Sequence, residues 1–200
     1  MTDWLFLPGA GASLAFWRPV AGLLALDRER RFLAWPGLGD EAHDANVRGL
    51  DDLVAMVLAA IDEPADLIAQ SMGGLVAVRV ALAAPQKVRR LVLTATSGGV
   101  RMDDLGVADW RAEYFAAFPN AARWIGEVRE DLSPQLPTLA APTLLLWGDA
   151  DPISPPAVGR RLLGLLPDAR LHVVQGAGHD LAQTHVDEAA ARIGEHLGRL

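Results

Sequence analysis

The stretch LIAQSMGGLVA, residues 67–77, sets one serine between two apolar runs and among small residues. A serine becomes a nucleophile when a very tight strand-to-helix turn lifts its hydroxyl clear of the backbone. Such a turn tolerates only small side chains two positions before and two positions after it. Those positions are Ala69 and Gly73, and Gly74 lets the following helix pack close to a sheet. Met72 opens that helix, so its N–H is free to face a developing oxyanion. A serine at a helix start can also be a plain N-cap, so Ser71 needs a base to be more than that. Of the five histidines, His43 falls in a polar loop, His172 inside an apolar strand-like run, His185 near the start of the last helix and His196 near the terminus. His179, in QGAGHDL, is the one that pairs a strand-end loop with glycines that let an imidazole approach another loop. A base needs an orienting carboxylate, and LLLWGDADPISPP supplies Asp149 and Asp151 just past another apolar run. Asp149 sits close enough to that run to cap its turn through the backbone. Asp151 precedes Pro152, where the chain is held extended and reaches further. A serine, a histidine and an aspartate in these places point to acyl transfer.

These side chains meet only if the strands that carry them lie side by side. The chain alternates short apolar runs with helical patterns. DWLFLPG, RRFLAWPG, ADLIAQ, VRRLVLTAT, PTLLLWGD and ARLHVVQG read as six strands, several closed by Gly or Pro. Between them SLAFWRPVAGLLAL, ANVRGLDDLVAMVLAAID, MGGLVAVRVALAA and PPAVGRRLLGLLP read as helices, and VDEAAARIGEHLGRL closes the chain. Alternation of this kind predicts βαβ units, hence a parallel, doubly wound sheet covered on both faces. Residues 1–200 then form one domain. Residues 98–141 break the rhythm: Trp110, Tyr114 and Phe118 are spaced four apart, as are Trp124, Val128 and Leu132. Two amphipathic helices there are expected to form a small lid, because ligands of open parallel sheets bind at the carboxyl ends of the strands, where this insertion begins and ends.

Composition narrows the chemistry. The net charge of −7 argues against a duplex-binding surface, which needs concentrated Lys and Arg. With no cysteine, disulfides, thiolate metal sites and a Cys nucleophile are excluded. No HExxH and no His/Asp cluster at ligand spacing suggests a metal. GAGASL, residues 9–14, has the outline of a dinucleotide loop, but Leu14 replaces its third glycine and no acidic residue ends the second strand. No cofactor is expected. No apolar run reaches the ~18 residues a spanning helix requires, since Arg79 interrupts the longest candidate. The N-terminus lacks a basic n-region. A cytoplasmic protein acting on a small-molecule substrate, away from membranes, is the expectation.

LPGAGASLAFWRPV, AWPGLGD, AQSMGGLVAVRVALAAPQKVRRLVL, PTLLLWGDADPISP and VVQGAGHDLAQTHVDE, in that order, resemble the signature blocks of the α/β-hydrolase superfamily, in particular its compact serine esterases and lactonases. The chain order Ser, Asp, His is also that of the family. The resemblance implies Ser71 as nucleophile, Asp151 as acid and His179 as base, with the N–H groups of Met72 and Ala10 as the oxyanion hole. It implies hydrolysis of a carboxylic ester, thioester or lactone. Trp110, Tyr114 and Phe118 are expected to line the substrate pocket. The same family includes C–C bond hydrolases, lyases and perhydrolases, and a non-catalytic ligand-binding member is the rival outside enzymology. Three departures from the family pattern stand out, one being Ala69 where the nucleophile motif usually begins with Gly. Pro8-Gly9 replaces the usual His-Gly after the first strand, and the family's two leading strands are missing, which leaves about six strands.

Overall fold

The computed structural model describes residues 4–11, 13–25 and 28–198. Asp3 of the first expected strand, Ala12 of the glycine-rich loop, Leu26 at the end of the first expected helix and the last two residues of the closing helix lie outside these.

Among the described residues one six-stranded sheet forms the centre: β1 (Trp4–Leu7), β2 (Arg30–Phe32), β3 (Ala65–Gln70), β4 (Val88–Thr94), β5 (Thr143–Gly148) and β6 (Ala169–Val174). The spatial order is β2-β1-β3-β4-β5-β6, and every pairing is parallel. β1, β3 and β5 are buried on both faces, which is why they read as mostly apolar runs; β3 also buries Asp66, which accepts from Trp4 Nε1 at 3.1 Å. Among the described residues the α-helices are α1 (Arg18–Leu23), α2 (Leu50–Ala59), α3 (Met72–Ala83), α4 (Arg111–Ala117), α5 (Pro156–Leu165), α6 (Leu181–Thr184) and α7 (Val186–Leu197). One core layer packs α2, α3 and α5 on the sheet, with residues such as Leu53, Val76 and Leu162 fully buried. The opposite layer joins α1, α6 and α7 through Trp17, Val20, Leu181 and Ile193. Both faces are therefore covered, as the alternating pattern predicts.

Several elements are shorter than their sequence pattern suggests. α1 starts only at Arg18, because Pro19 fixes the first helical turn and residues 14–17 form turns before it. β2 is an edge strand of three residues; the chain after it turns so that the Trp35 indole faces inward and donates to the carbonyl of Pro8 at 2.7 Å.

The 98–141 insertion is less helical than expected. Trp110, Tyr114 and Phe118 do share one face, as the N-cap, middle and C-cap of α4. The second stripe is no α-helix. Trp124 lies in a short 3₁₀ segment, Arg123–Glu127, and Val128 already turns extended at ψ 122°. Gly126 weakens a helix there, and Pro134 and Pro137 remove donors that a longer one would need. The insertion is fastened to the rest of the domain by backbone bonds from Ala122 N to Gly37 O (2.7 Å) and Ala108 N to Pro152 O (2.8 Å), and closed on itself by one from Leu132 N to Gly99 O (2.7 Å). No described helix is long and apolar enough to cross a membrane.

Candidate active site

The carboxyl ends of β1, β3, β5 and β6 deliver the loops in which the sequence places its chemistry. Ser71 stands between β3 and α3 with φ 53° and ψ −122°, a conformation that L-residues rarely adopt. The turn is held because its own N–H donates to Thr94 O at 2.9 Å and its carbonyl accepts from Gly74 N at 2.9 Å. The small neighbours are obligatory. A Cβ on Gly73 would lie 2.8 Å from Leu7 O and press on Pro8 O, both backbone atoms at the end of β1. One on Gly74 would lie 2.6 Å from the Thr96 side chain. Ser71 makes no side-chain capping bond to α3, so its hydroxyl is not spent as an N-cap.

That hydroxyl points at a histidine. Ser71 Oγ and His179 Nε2 are 3.0 Å apart, and His179 Nδ1 is 2.8 Å from Asp151 Oδ2. With its proton on Nδ1, His179 donates to Asp151 and leaves Nε2 to accept from the serine. Asp151 is 2% exposed, and its second oxygen, Oδ1, accepts from the N–H groups of Ile153 (2.8 Å) and Ser154 (3.0 Å). The carboxylate is thus fixed from both sides. Asp149 goes elsewhere: Oδ1 accepts from Gly176 N at 2.6 Å, bracing the turn that leads into the His179 loop. Gly176 adopts φ 72° there, a conformation natural to glycine. The close approach of β5 to that loop also needs Gly148, whose place a larger residue could not take without striking the carbonyls of Ala177 and Gly178.

Ala10 lies in the loop after β1 and Met72 opens α3, directly after Ser71. Among the described residues neither N–H donates to a protein carbonyl. A Cβ on Gly9 would sit 3.0 Å from Ser71 Cβ, so this loop lies directly against the nucleophile turn. Trp110, Tyr114 and Phe118 form a packed aromatic row with centroid separations of 5.4 Å and 5.2 Å, and Phe118 covers Gly11. The other histidines take other partners. His43 Nε2 donates to Asn120 O, His172 meets Glu188, His185 contacts Thr184 and His196 is buried. A groove of about 440 Å³ lined by Arg79, Leu82 and Glu130, among others, involves none of the residues around Ser71.

Two contributors escaped the sequence reading. Gln70, the residue before the serine, is buried and donates from Nε2 to the carbonyl of His179 at 3.4 Å. Ser154 accepts from Trp147 Nε1 at 3.2 Å and shores up the Asp151 loop. Gln70 occupied an unconstrained position of the nucleophile motif, and nothing in the sequence marked Ser154.

Comparison with known proteins places these features in a lineage. A family model described as the alpha/beta hydrolase family matches residues 4–135, and a second, for the alpha/beta hydrolase fold, matches residues 94–185. A pimeloyl-[acyl-carrier protein] methyl ester esterase of Neisseria meningitidis is 31% identical over 202 residues, covering 78% of this chain and 77% of the relative. That alignment is longer than the part of this chain it uses, so the relative carries segments without a counterpart here. An esterase of the same name from Edwardsiella ictaluri is 28% identical over 238 residues, 96% of this chain and 92% of the relative. A thermophilic esterase of Thermogutta terrifontis superposes with a TM-score of 0.80 at 19% identity, over 98% of this chain and 89% of that one. A meta-cleavage product hydrolase of Pseudomonas fluorescens gives 0.78 at 22% identity, over 98% and 90%. At such identities the solved structures speak for the fold alone. The sequence match over two thirds of the chain says more: this chain is an enzyme of the alpha/beta hydrolase family.

Proposed function

We propose that the enzyme hydrolyses a carboxylic ester with a small-to-medium acyl chain through a covalent acyl-enzyme on Ser71. The observation that carries the reading is the unbroken relay from Ser71 Oγ through His179 to the buried Asp151, at 3.0 and 2.8 Å. His179 Nε2 takes the hydroxyl proton as Ser71 Oγ bonds to the carbonyl carbon. The carbonyl oxygen becomes an oxyanion held by the N–H groups of Met72 and Ala10. Collapse breaks the bond to the alcohol, which leaves with the proton from His179. Water then gives a proton to His179 and its oxygen to the acyl carbon. A second collapse returns the proton to Ser71 and releases the acid. Asp151 keeps His179 in the correct tautomer and stabilises its protonated form. The relatives named methyl ester esterases support an ester over a C–C bond. Trp110, Tyr114 and Phe118, in the insertion acting as a lid, favour an apolar acyl group.

A fluorophosphonate probe should label Ser71, identified by peptide mass, and Ser71→Ala should lose both labelling and turnover on a panel of methyl esters, p-nitrophenyl esters, thioesters and lactones. Ester hydrolysis by Ser71→Ala at the wild-type rate would overturn the mechanism. Turnover of a vinylogous 1,5-diketone with no ester hydrolysis would replace it with C–C chemistry on the same residues.

A further inference from the structure

The loop from Leu7 to Gly11 carries the second proposed oxyanion donor, Ala10 N–H, yet brings little to brace itself. Pro8 has no N–H, and Gly9 and Gly11 impose almost no backbone preference. The bracing comes from three aromatic side chains. Trp17 Nε1 donates to Leu7 O at 3.0 Å, Trp35 Nε1 to Pro8 O at 2.7 Å and Tyr114 Oη to Ala10 O at 3.1 Å. A peptide unit is planar, with its carbonyl and N–H pointing opposite ways, so fixing a carbonyl fixes the plane. Pro8 O and Ala10 O belong to the planes on either side of the Gly9–Ala10 peptide. That middle plane carries the Ala10 N–H. Two held planes therefore bracket the donor.

Trp17 and Trp35 are buried core residues. Tyr114 differs from them. It comes from α4 in the insertion, 104 positions along the chain from Ala10. Its oxygen is used twice, because it also accepts from Gly39 N at 3.0 Å in the loop after β2. Gly39 lies against the same strip of backbone: a Cβ there would come within 3.6 Å of Ala10 O. Donation to Ala10 O requires a protonated phenol, and burial keeps the Tyr114 hydroxyl above its ordinary value. The ring itself packs edge-on against Trp110 and Phe115.

We infer that Tyr114 is a positioning residue for the reaction: its hydroxyl ties the insertion to the β1 loop and keeps the Ala10 N–H aimed at the substrate oxygen. This rests on the acyl-enzyme reading above and gives Tyr114 a task beyond lining a pocket. The hydroxyl touches no reacting atom; it acts through Ala10.

Tyr114→Phe deletes one oxygen and keeps the ring. On a short p-nitrophenyl ester it should lower kcat roughly 10-fold or more, a smaller loss than the 10²–10³ that follows outright removal of an oxyanion donor. KM and acyl-chain preference should stay within about two-fold. The Ki of a trifluoromethyl ketone, which forms an oxyanion on the serine, should rise by the factor that kcat/KM falls. Tyr114→His, which keeps a ring and a donor, should recover part of the loss. Wild-type kcat in Tyr114→Phe would overturn the inference, as would an altered chain preference with kcat retained, or equal losses in both variants. Ser71→Ala is assayed alongside. If it has no turnover, the acyl-enzyme reading stands and the Tyr114 result judges the positioning role alone. If it retains turnover, both fall.

Discussion

Replacing Ser71 with glycine should give a more stable protein than replacing it with alanine, although neither variant should hydrolyse esters on the proposed mechanism. The backbone at this position has φ 53° and ψ −122°. An L-residue held in such a region carries a cost on the order of 1–3 kcal/mol, retained where the surroundings over-determine it. Glycine has no Cβ to clash and removes that cost, but it gives back roughly 0.5–1 kcal/mol through the greater freedom of the unfolded chain. Both variants lose the bond between Ser71 Oγ and His179 Nε2, so this loss cancels in the comparison. The difference left is about 1 kcal/mol in favour of glycine. For a chain of 200 residues that is a Tm higher by roughly 2–4 °C. Differential scanning calorimetry of the two ligand-free variants in one buffer measures it. A glycine variant that melts at or below the alanine variant would refute the idea that the fold stores strain at the proposed nucleophile.

Asp151→Asn should lower kcat by roughly 10⁴, because the amide favours the wrong histidine tautomer, whereas Asp149→Asn, which disturbs only the bond to Gly176 N, should cost far less; kcat for both at one pH decides. Gly73→Ala forces a methyl against Leu7 O and Pro8 O, so it should destabilise by roughly 1–3 kcal/mol and lower kcat by shifting the Ala10 loop, read by Tm and by ester turnover. The Arg161 guanidinium, bonded to Asp104 at 2.6 and 2.8 Å, holds that carboxyl at about 2, below the ordinary 3.8. The folded value is the lower one, so the pair stabilises above about pH 4 and the benefit fades as pH falls toward about 2. Wild type should therefore lose more Tm across that window than Asp104→Asn, and the gap should shrink at high salt because the pair is exposed.

Strands buried on both faces were the easiest elements to read. ADLIAQ is β3 residue for residue, because complete burial leaves a short, mostly apolar run with no helical period. The insertion was harder. Its four-residue spacing marked α4 but also suggested a helix through Trp124, Val128 and Leu132, where glycine and prolines prevent one. Periodicity reports which side chains are apolar, not whether the backbone between them can stay helical. Ser71, Asp151 and His179 were visible because each follows a strand at one end of a parallel sheet, so topology brings them together. The bracing of Ala10 was not visible. Tyr114 shows the sequence an apolar ring, while its hydroxyl finds a carbonyl that only the tertiary fold brings near. Gln70 and Ser154 were hidden for the same reason: their partners, His179 and Trp147, are set by the folded loops rather than by any motif.

The bonds from Ala108, Tyr114 and Ala122 fasten the insertion to the loops after β5, β1 and β2 respectively. A flap on a single stalk can swing; a roof resting on three posts cannot lift without several hydrogen bonds breaking together. If the insertion roofs the way to Ser71 as proposed, the passage is a standing doorway, and substrates are sorted by its width rather than by how well they persuade it to close. Such a roof is also poorly interchangeable. Grafting one from a relative changes the posts as well as the doorway, so a chimera that leaves the serine, histidine and aspartate untouched can still arrive with a displaced β1 loop.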